Sequence, residues 1–248
     1  MSNLFDLSGK TALVTGSQVG IGRGIAAGLA AAGADLVLHG PVDGFDDVVA
    51  DVKAAGRHAQ TTVLDLSQPE LIPAWAAELP PIDILVNNAG IIRRTPAVDH
   101  SWADWRAVLT VNLDAVFLIS QAVGRGMVSR GHGKIISVAS LLSFQGGINI
   151  AGYTASKSAV AGLTKLLSNE WAGHGVQVNA IAPGYVATDN TAALRADPER
   201  EAEIRGRIPA GRWARPADLV GPAVFLASAA SDYVTGHVLP VDGGWLAR

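Results

Sequence analysis

The sequence contains no cysteine. Disulfides, thiolate catalysis and cysteine-held metals are excluded with it, and no metal site is expected. Charge is also sparse. Charged residues make up 17% of the chain, and acids and bases nearly cancel at a net charge of −3. No basic field is available to hold nucleic acid or an acidic lipid surface, so neither is an expected partner. No uncharged apolar run reaches membrane-spanning length. The opening MSNLFDLSGK lacks a basic segment followed by an apolar one, so no secretory signal is visible. A cytoplasmic enzyme with a small-molecule partner is the expectation.

What is present is a core-rich chain of 248 residues, 49% of them hydrophobic, enough for one α/β unit with a large sheet. Short apolar runs that read as strands (KTALVTG, DLVLHG, AQTTVLDLS, IDILVNNAG, GKIISVAS, VQVNAIAPG, VTGHVLPVDGG) alternate with helical patterns. The longest of those patterns are WADWRAVLTVNLDAVFLISQAVGRGMV and YTASKSAVAGLTKLLSNEWAGHG. Such alternation predicts a doubly wound parallel sheet covered by helices on both faces. No repeat or linker divides residues 1–248, so a single domain is expected. The segment 185–215 breaks the rhythm. It is polar and rich in arginine, and residues 189–213 are expected to form a mobile lid over the substrate.

TGSQVGIG, residues 15–22, lies between the first strand and the first helix. Gly16, Gly20 and Gly22 allow a tight turn and a close approach to a pyrophosphate, whose charge meets the helix N-terminus. Ser17, Gln18 and Ile21 complete this cofactor-binding turn. The end of the second strand selects between dinucleotides: an acid there binds a ribose hydroxyl, a base accepts a phosphate. His39 and Gly40 occupy the place, followed by Pro41. With no cation for the extra phosphate, NAD is expected over NADP. Asp65, followed by Leu66, ends the third strand, where its carboxylate either accepts a hydrogen bond from adenine or caps a helix.

YTASK opens the second long helix and places Tyr153 and Lys157 four residues apart on one face. An ammonium beside a phenol favours the phenolate and is expected to lower its pKa, making a usable general acid/base. Ser140 ends the preceding strand, where ligands of open α/β sheets bind and where a hydroxyl can hold a carbonyl oxygen. Taken singly, a helical tyrosine usually packs, a lysine is usually solvated and a serine usually caps. The three at this spacing, downstream of a glycine-rich turn, read as a catalytic group.

TGSQVGIG, NNAG, TVNLDAVF, Ser140, YTASK and NAIAPG, in this order over the whole chain, resemble the short-chain dehydrogenase/reductase family. The resemblance implies a Rossmann-type domain with seven strands, a nicotinamide cofactor, and a Ser140–Tyr153–Lys157 triad. Asn112 joins it as a fourth member supporting a water-linked proton path. It also implies that Lys157 binds the nicotinamide ribose, and that Asn88, Ala89, Gly90, Pro183, Gly184, Val186 and Thr188 line the cofactor. A homotetramer is implied as well, built through the long helices and the last strand. The end of the second strand departs from the family's pattern and leaves the cofactor choice to the argument above.

AGIIRR, LLSFQGG, NAIAPGYVATDNT, RIPAGRW and VDGGWLAR are similar to a narrower group, the 2-dehydro-3-deoxy-D-gluconate 5-dehydrogenases, also called 2-deoxy-D-gluconate 3-dehydrogenases. That similarity implies a deoxy keto sugar acid as substrate. Its carboxylate gives a reason for Arg93 and Arg94, since arginine grips a carboxylate through two parallel hydrogen bonds. Neighbouring loop side chains diverge, so one of the two is expected to do so, with Gln145 and Trp213 in the sugar wall. Another sugar acid, gluconate or an alginate-derived uronate, is an open alternative. So is a non-catalytic dinucleotide sensor, although such a protein has no need of Ser140, Tyr153 and Lys157.

Overall fold

The computed structural model describes residues 3–248. Seven strands form one sheet: β1 (Thr11–Thr15), β2 (Asp35–Gly40), β3 (Ala59–Val63), β4 (Ile84–Asn87), β5 (Gly133–Val138), β6 (Val176–Pro183) and β7 (Val238–Val241). Their spatial order is β3-β2-β1-β4-β5-β6-β7, and every pairing is parallel. Chain order reverses between β1 and β4, so the crevice of this doubly wound sheet opens beyond the carboxyl ends of those two strands.

The strands read as unbroken apolar runs because both faces are covered. Alternate side chains serve opposite layers. Ala12 and Val14 of β1, Ile84 and Val86 of β4 and Ile136 and Val138 of β5 pack with α1 (Gly20–Ala31), α2 (Asp46–Ala54) and α9 (Val220–Ala227). Leu13, Leu85 and Ile135 face the other way. They meet α3 (Ile72–Ala77), α5 (Ala115–Arg130) and α6 (Ala151–Trp171).

Periodicity predicts one helix over residues 102–128. The structure instead has α4 (Trp102–Leu109), a π-turn at Thr110–Asp114 and α5. Hydrophobic spacing cannot register one inserted residue, because the apolar face is continuous through it. The continuous helical stretch Trp102–Arg130 passes for a membrane span by length and composition, its most apolar 18 residues having a mean hydropathy of 1.6. Here Val111, Ala115, Ile119 and Met127 are buried against the sheet, making it a covering layer of the domain.

The excursion after β6 folds into α7 (Ala192–Ala196) and α8 (Pro198–Arg207). α8 is anchored by Ile204, which with Ile208 packs against Leu141 and Trp245. The rest of α8 is polar, so its other faces are left to solvent and to the cavity beneath.

Candidate active site

The turn after β1 is built around close backbone approaches. Gly16 and Gly20 have φ of +62° and +58°, a region that disfavours side chains. At Gly22 a Cβ would fall 2.1 Å from the Gly16 carbonyl oxygen, so the first turn of α1 can lie directly on the loop. The Thr15 hydroxyl accepts from the amides of Asn88 (3.0 Å) and Ala89 (3.1 Å). Asn88 Nδ2 returns bonds to the carbonyls of Thr15 (2.9 Å) and Gly16 (3.0 Å). These contacts weld the β1 and β4 loops into one rim.

Behind the rim, His39 is 1% exposed. Its Nε2 lies 3.0 Å from the Leu64 carbonyl, and Nδ1 faces the Gly16 amide at 3.4 Å. This pattern assigns the proton to Nε2, which donates to Leu64 while Nδ1 accepts. Burial lowers the His39 pKa from 6.5 to about 4, so the ring is neutral at physiological pH. Gln18 Nε2 donates to the Val42 carbonyl at 2.9 Å, closing the turn over the end of β2.

Two cavities of about 410 Å³ each open along the carboxyl edge of the sheet. The first runs past Gly16, Gln18, Gly20, Ile21, His39, Pro41, Asp65, Leu66, Asn88, Ala89, Gly90, Lys157 and Thr188. The second lies under α8, between Arg94, Ser140, Gln145, Pro183, Gly184, Tyr185, Arg200, Arg207 and Trp245. Tyr153 lines both, as does Asn190.

The tyrosine stands where one helix meets two strand ends. Lys157, one turn along α6, is 5% exposed. Its Nζ donates to the Val138 carbonyl at 2.6 Å and lies 5.6 Å from the centre of the Tyr153 ring. Burial lowers the Lys157 pKa from 10.5 to about 8. The Ser143 hydroxyl donates to the Lys157 carbonyl at 2.6 Å, fastening α6 to the loop after β5. Ser140 Oγ accepts from the Leu142 amide at 3.2 Å. Its hydroxyl can still donate, and it faces the Tyr153 phenol as a hydrogen-bond partner. Asn112 occupies the π-turn and is fully buried. Its side chain accepts from the Ile91 amide (2.8 Å) and donates to the Ile91 carbonyl (2.9 Å). It therefore sets the loop that follows Gly90. A π-turn at such a position is a common mark of a functional site.

A family model described as enoyl-(acyl carrier protein) reductase matches residues 16–246. A 2-dehydro-3-deoxy-D-gluconate 5-dehydrogenase of Bacillus subtilis strain 168 is 56% identical, over 100% of this chain and 99% of the relative. The chain belongs to the short-chain dehydrogenase/reductase family. Gluconate 5-dehydrogenase of Gluconobacter oxydans strain 621H is 47% identical over 98% of this chain and 96% of its own. The crystal structure of a gluconate 5-dehydrogenase from Burkholderia cenocepacia J2315, in complex with NADP and tartrate, superposes with a TM-score of 0.94. It is 43% identical and covers 99% of this chain and 98% of that one.

Within this dehydrogenase domain several residues stand elsewhere than the sequence suggests. Burial is the largest influence on Tyr153 and raises its pKa; the Ser140 hydroxyl and the Arg94 charge oppose it. The expected lowering does not prevail, because burial disfavours the phenolate more than its neighbours favour it. Arg93 turns away from both cavities to pair with Asp104 at 3.4 Å, whereas its neighbour Arg94 lines the second cavity and donates to the Asn190 carbonyl at 2.9 Å. Trp213 packs edge-on against Tyr185, 5.4 Å between ring centres, and lies outside the cavity lining. Trp245 takes the wall position instead, its Nε1 donating to Gln145 Oε1 at 3.2 Å.

The Ser17 side chain points into the sheet and donates to the His39 carbonyl at 3.2 Å. Gly22, Gly40 and Val186 also lie behind the cavity surface rather than on it. At Gly40 a Cβ would fall 2.1 Å from Gln18 Oε1, so Pro41 presents the surface there. Asp65 caps a turn and not a helix: its Oδ1 accepts from the Ser67 amide at 2.9 Å, and this bond holds its pKa below 3.8. Pattern reading missed Tyr185, Asn190, Arg200, Arg207 and Trp245. Only the arginine content of the excursion hinted at any of them.

Proposed function

We propose that the chain is a 2-dehydro-3-deoxy-D-gluconate 5-dehydrogenase, moving a hydride between a nicotinamide dinucleotide and the C5 oxygen function of a deoxy keto sugar acid. The observation that carries this reading is the placement of Tyr153 on the wall shared by both cavities. One cavity has the glycine cradle and helix N-terminus suited to a pyrophosphate. The other is lined by hydrogen-bonding and basic groups suited to a polyhydroxy acid. The close approaches at Gly16 and Gly22 fit a dinucleotide, since they leave the backbone open where a side chain would block it. The name of the Bacillus subtilis relative agrees with the substrate, and that of the Gluconobacter oxydans relative with the gluconate alternative.

When bound, the cofactor supplies or accepts the hydride. Tyr153 donates a proton to the ketone oxygen in reduction and takes it back in oxidation. Its raised pKa keeps the phenol protonated through neutral pH, which suits it to donate. Ser140 offers its hydroxyl proton to the same oxygen. Lys157, still mostly protonated at neutral pH, presents a cation beneath the forming phenolate and toward the cofactor ribose. Asn112 maintains the Ile91 backbone and the end of the proton path. Arg94 contacts the substrate beside the reacting oxygen. Asp65 accepts a hydrogen bond from adenine, and residues 189–213 close over the ternary complex.

NAD is the preferred dinucleotide in this reading. Neutral His39, Gln18 and Pro41 surround the end of β2, and no cation lines that end of the first cavity. The assembly is a homotetramer, supported by exposed Trp102 and Phe117 and by Leu166 on the outer helices. The test is steady-state kinetics on a panel of sugar acids with NAD and NADP. The keto-deoxygluconate pair with NAD is expected to give the highest kcat/KM. A higher value for gluconate or an alginate-derived uronate would move the chain to that substrate, and inactivity on the whole panel would overturn the reading.

A further inference from the structure

The second cavity holds arginines in different company. Arg94 lies beside the chemistry, where its charge acts on the Tyr153 phenol. The charges of Arg200 and Arg207, both from α8, act instead on Tyr185. Arg200 is already paired with Glu203. Arg207 is not. Among the described residues its guanidinium has no carboxylate partner and makes no hydrogen bond. It lies 4.0 Å over the ring of Trp245. That ring is a fixed platform: Trp245 is 4% exposed and is held by Gln145. The backbone behind Arg207 is held as well, because Arg248 Nη1 donates to the carbonyls of Gly206 (3.3 Å) and Arg207 (3.4 Å).

We propose that Arg207, stacked on Trp245, is the carboxylate clamp of the substrate cavity. The inference rests on the sugar-acid reading and deepens it. A guanidinium seated over an indole face is restrained by it while N–H groups stay free of other partners, so less freedom is left to lose when a carboxylate docks. In a 5-dehydrogenase the reacting carbon and the carboxylate stand at opposite ends of the carbon chain. With C5 at Tyr153, the acid extends away from Arg94 and toward Tyr185, Trp245 and Arg207. Arg94 then serves the reacting end, and Arg207 the acid end.

Distance from the reacting carbon sets the kinetic signature. A contact made equally in ground and transition states raises KM and spares kcat when lost. A hydrogen bond to a charged group is worth about 1.5–3 kcal/mol, or roughly ten- to a hundredfold. The experiment compares wild type, Arg207→Met and Arg207→Lys on the best sugar acid of the panel and on its uncharged methyl ester. Dinucleotide binding, read by fluorescence quenching, serves as the folding control. The expected result is a rise of that size in KM for the acid with Arg207→Met, and a fall of the same size in the acid-to-ester ratio of kcat/KM. Arg207→Lys restores only part of it, since a point charge replaces a planar fork. An unchanged ratio in Arg207→Met, with the wild type active on the acid, would overturn the clamp and leave the sugar-acid reading standing. Wild-type inactivity on every sugar acid would overturn both.

Discussion

Lys157 carries a charge that the folded protein holds at a cost. Its pKa in the fold is about 8 against an ordinary 10.5, so the folded state binds its proton less tightly than the unfolded chain does. Stability therefore rises with pH between those two values and is flat on either side. Below about pH 8 the whole penalty of some 3 kcal/mol is present, at about 1.4 kcal/mol per pKa unit; above about pH 10.5 it is gone. Between pH 7 and pH 10 roughly 2.5 kcal/mol of it is relieved. Replacing Lys157 with methionine removes this dependence. It also removes the 2.6 Å bond to the Val138 carbonyl, a loss of about 1–3 kcal/mol that does not vary with pH. The measurement is urea unfolding of cofactor-free wild type and Lys157→Met at both pH values and one protein concentration. Relative to the variant, the wild type should gain about 2 kcal/mol or more on going to the higher pH. Because Tyr153 and the other titrating groups are common to both proteins, they largely cancel in the difference. Parallel pH curves would refute the argument, and with it the burial of a charged Lys157.

Tyr153→Phe should lose at least two decades in kcat, within the range of about 10²–10⁴ for general acid/base catalysis, while dinucleotide binding measured by fluorescence persists; near-normal turnover would remove the phenol from the mechanism. Pro41 lines the dinucleotide cavity at the end of β2, so Pro41→Arg should raise kcat/KM with NADPH, and a wild type that already prefers NADPH would contradict the neutral reading of that site. Hydrogen exchange in residues 189–213 should slow when dinucleotide and substrate bind together; exchange unchanged in the ternary complex would count against closure.

The proposed catalytic pair was legible because its geometry is local. Four residues along a helix put Tyr153 and Lys157 on one face whatever surrounds them. The glycine turn was legible for a related reason: Gly16, Gly20 and Gly22 declare a backbone that must bend and approach itself. Alternating apolar runs likewise carried the parallel sheet and its two helical layers. By themselves, then, the residues determined the fold class, the glycine turn at the carboxyl edge of the sheet and the shared helix face of the groups proposed to move the proton.

Long-range packing decided the rest. Adjacent Arg93 and Arg94 look equivalent in the chain, yet Asp104 claims one and the second cavity receives the other. Nothing local separates Trp213 from Trp245; both indoles pack on Tyr185, and only Trp245 also reaches Gln145 and the cavity wall. The direction of the Tyr153 pKa also depended on depth, because spacing along a helix specifies a neighbour and not the solvent it displaces. The π-turn at Asn112 became visible only when its side chain closed on the Ile91 backbone, 21 residues away in sequence. Contacts of that kind depend on elements that meet only after the sheet has assembled, and no short-range pattern records them.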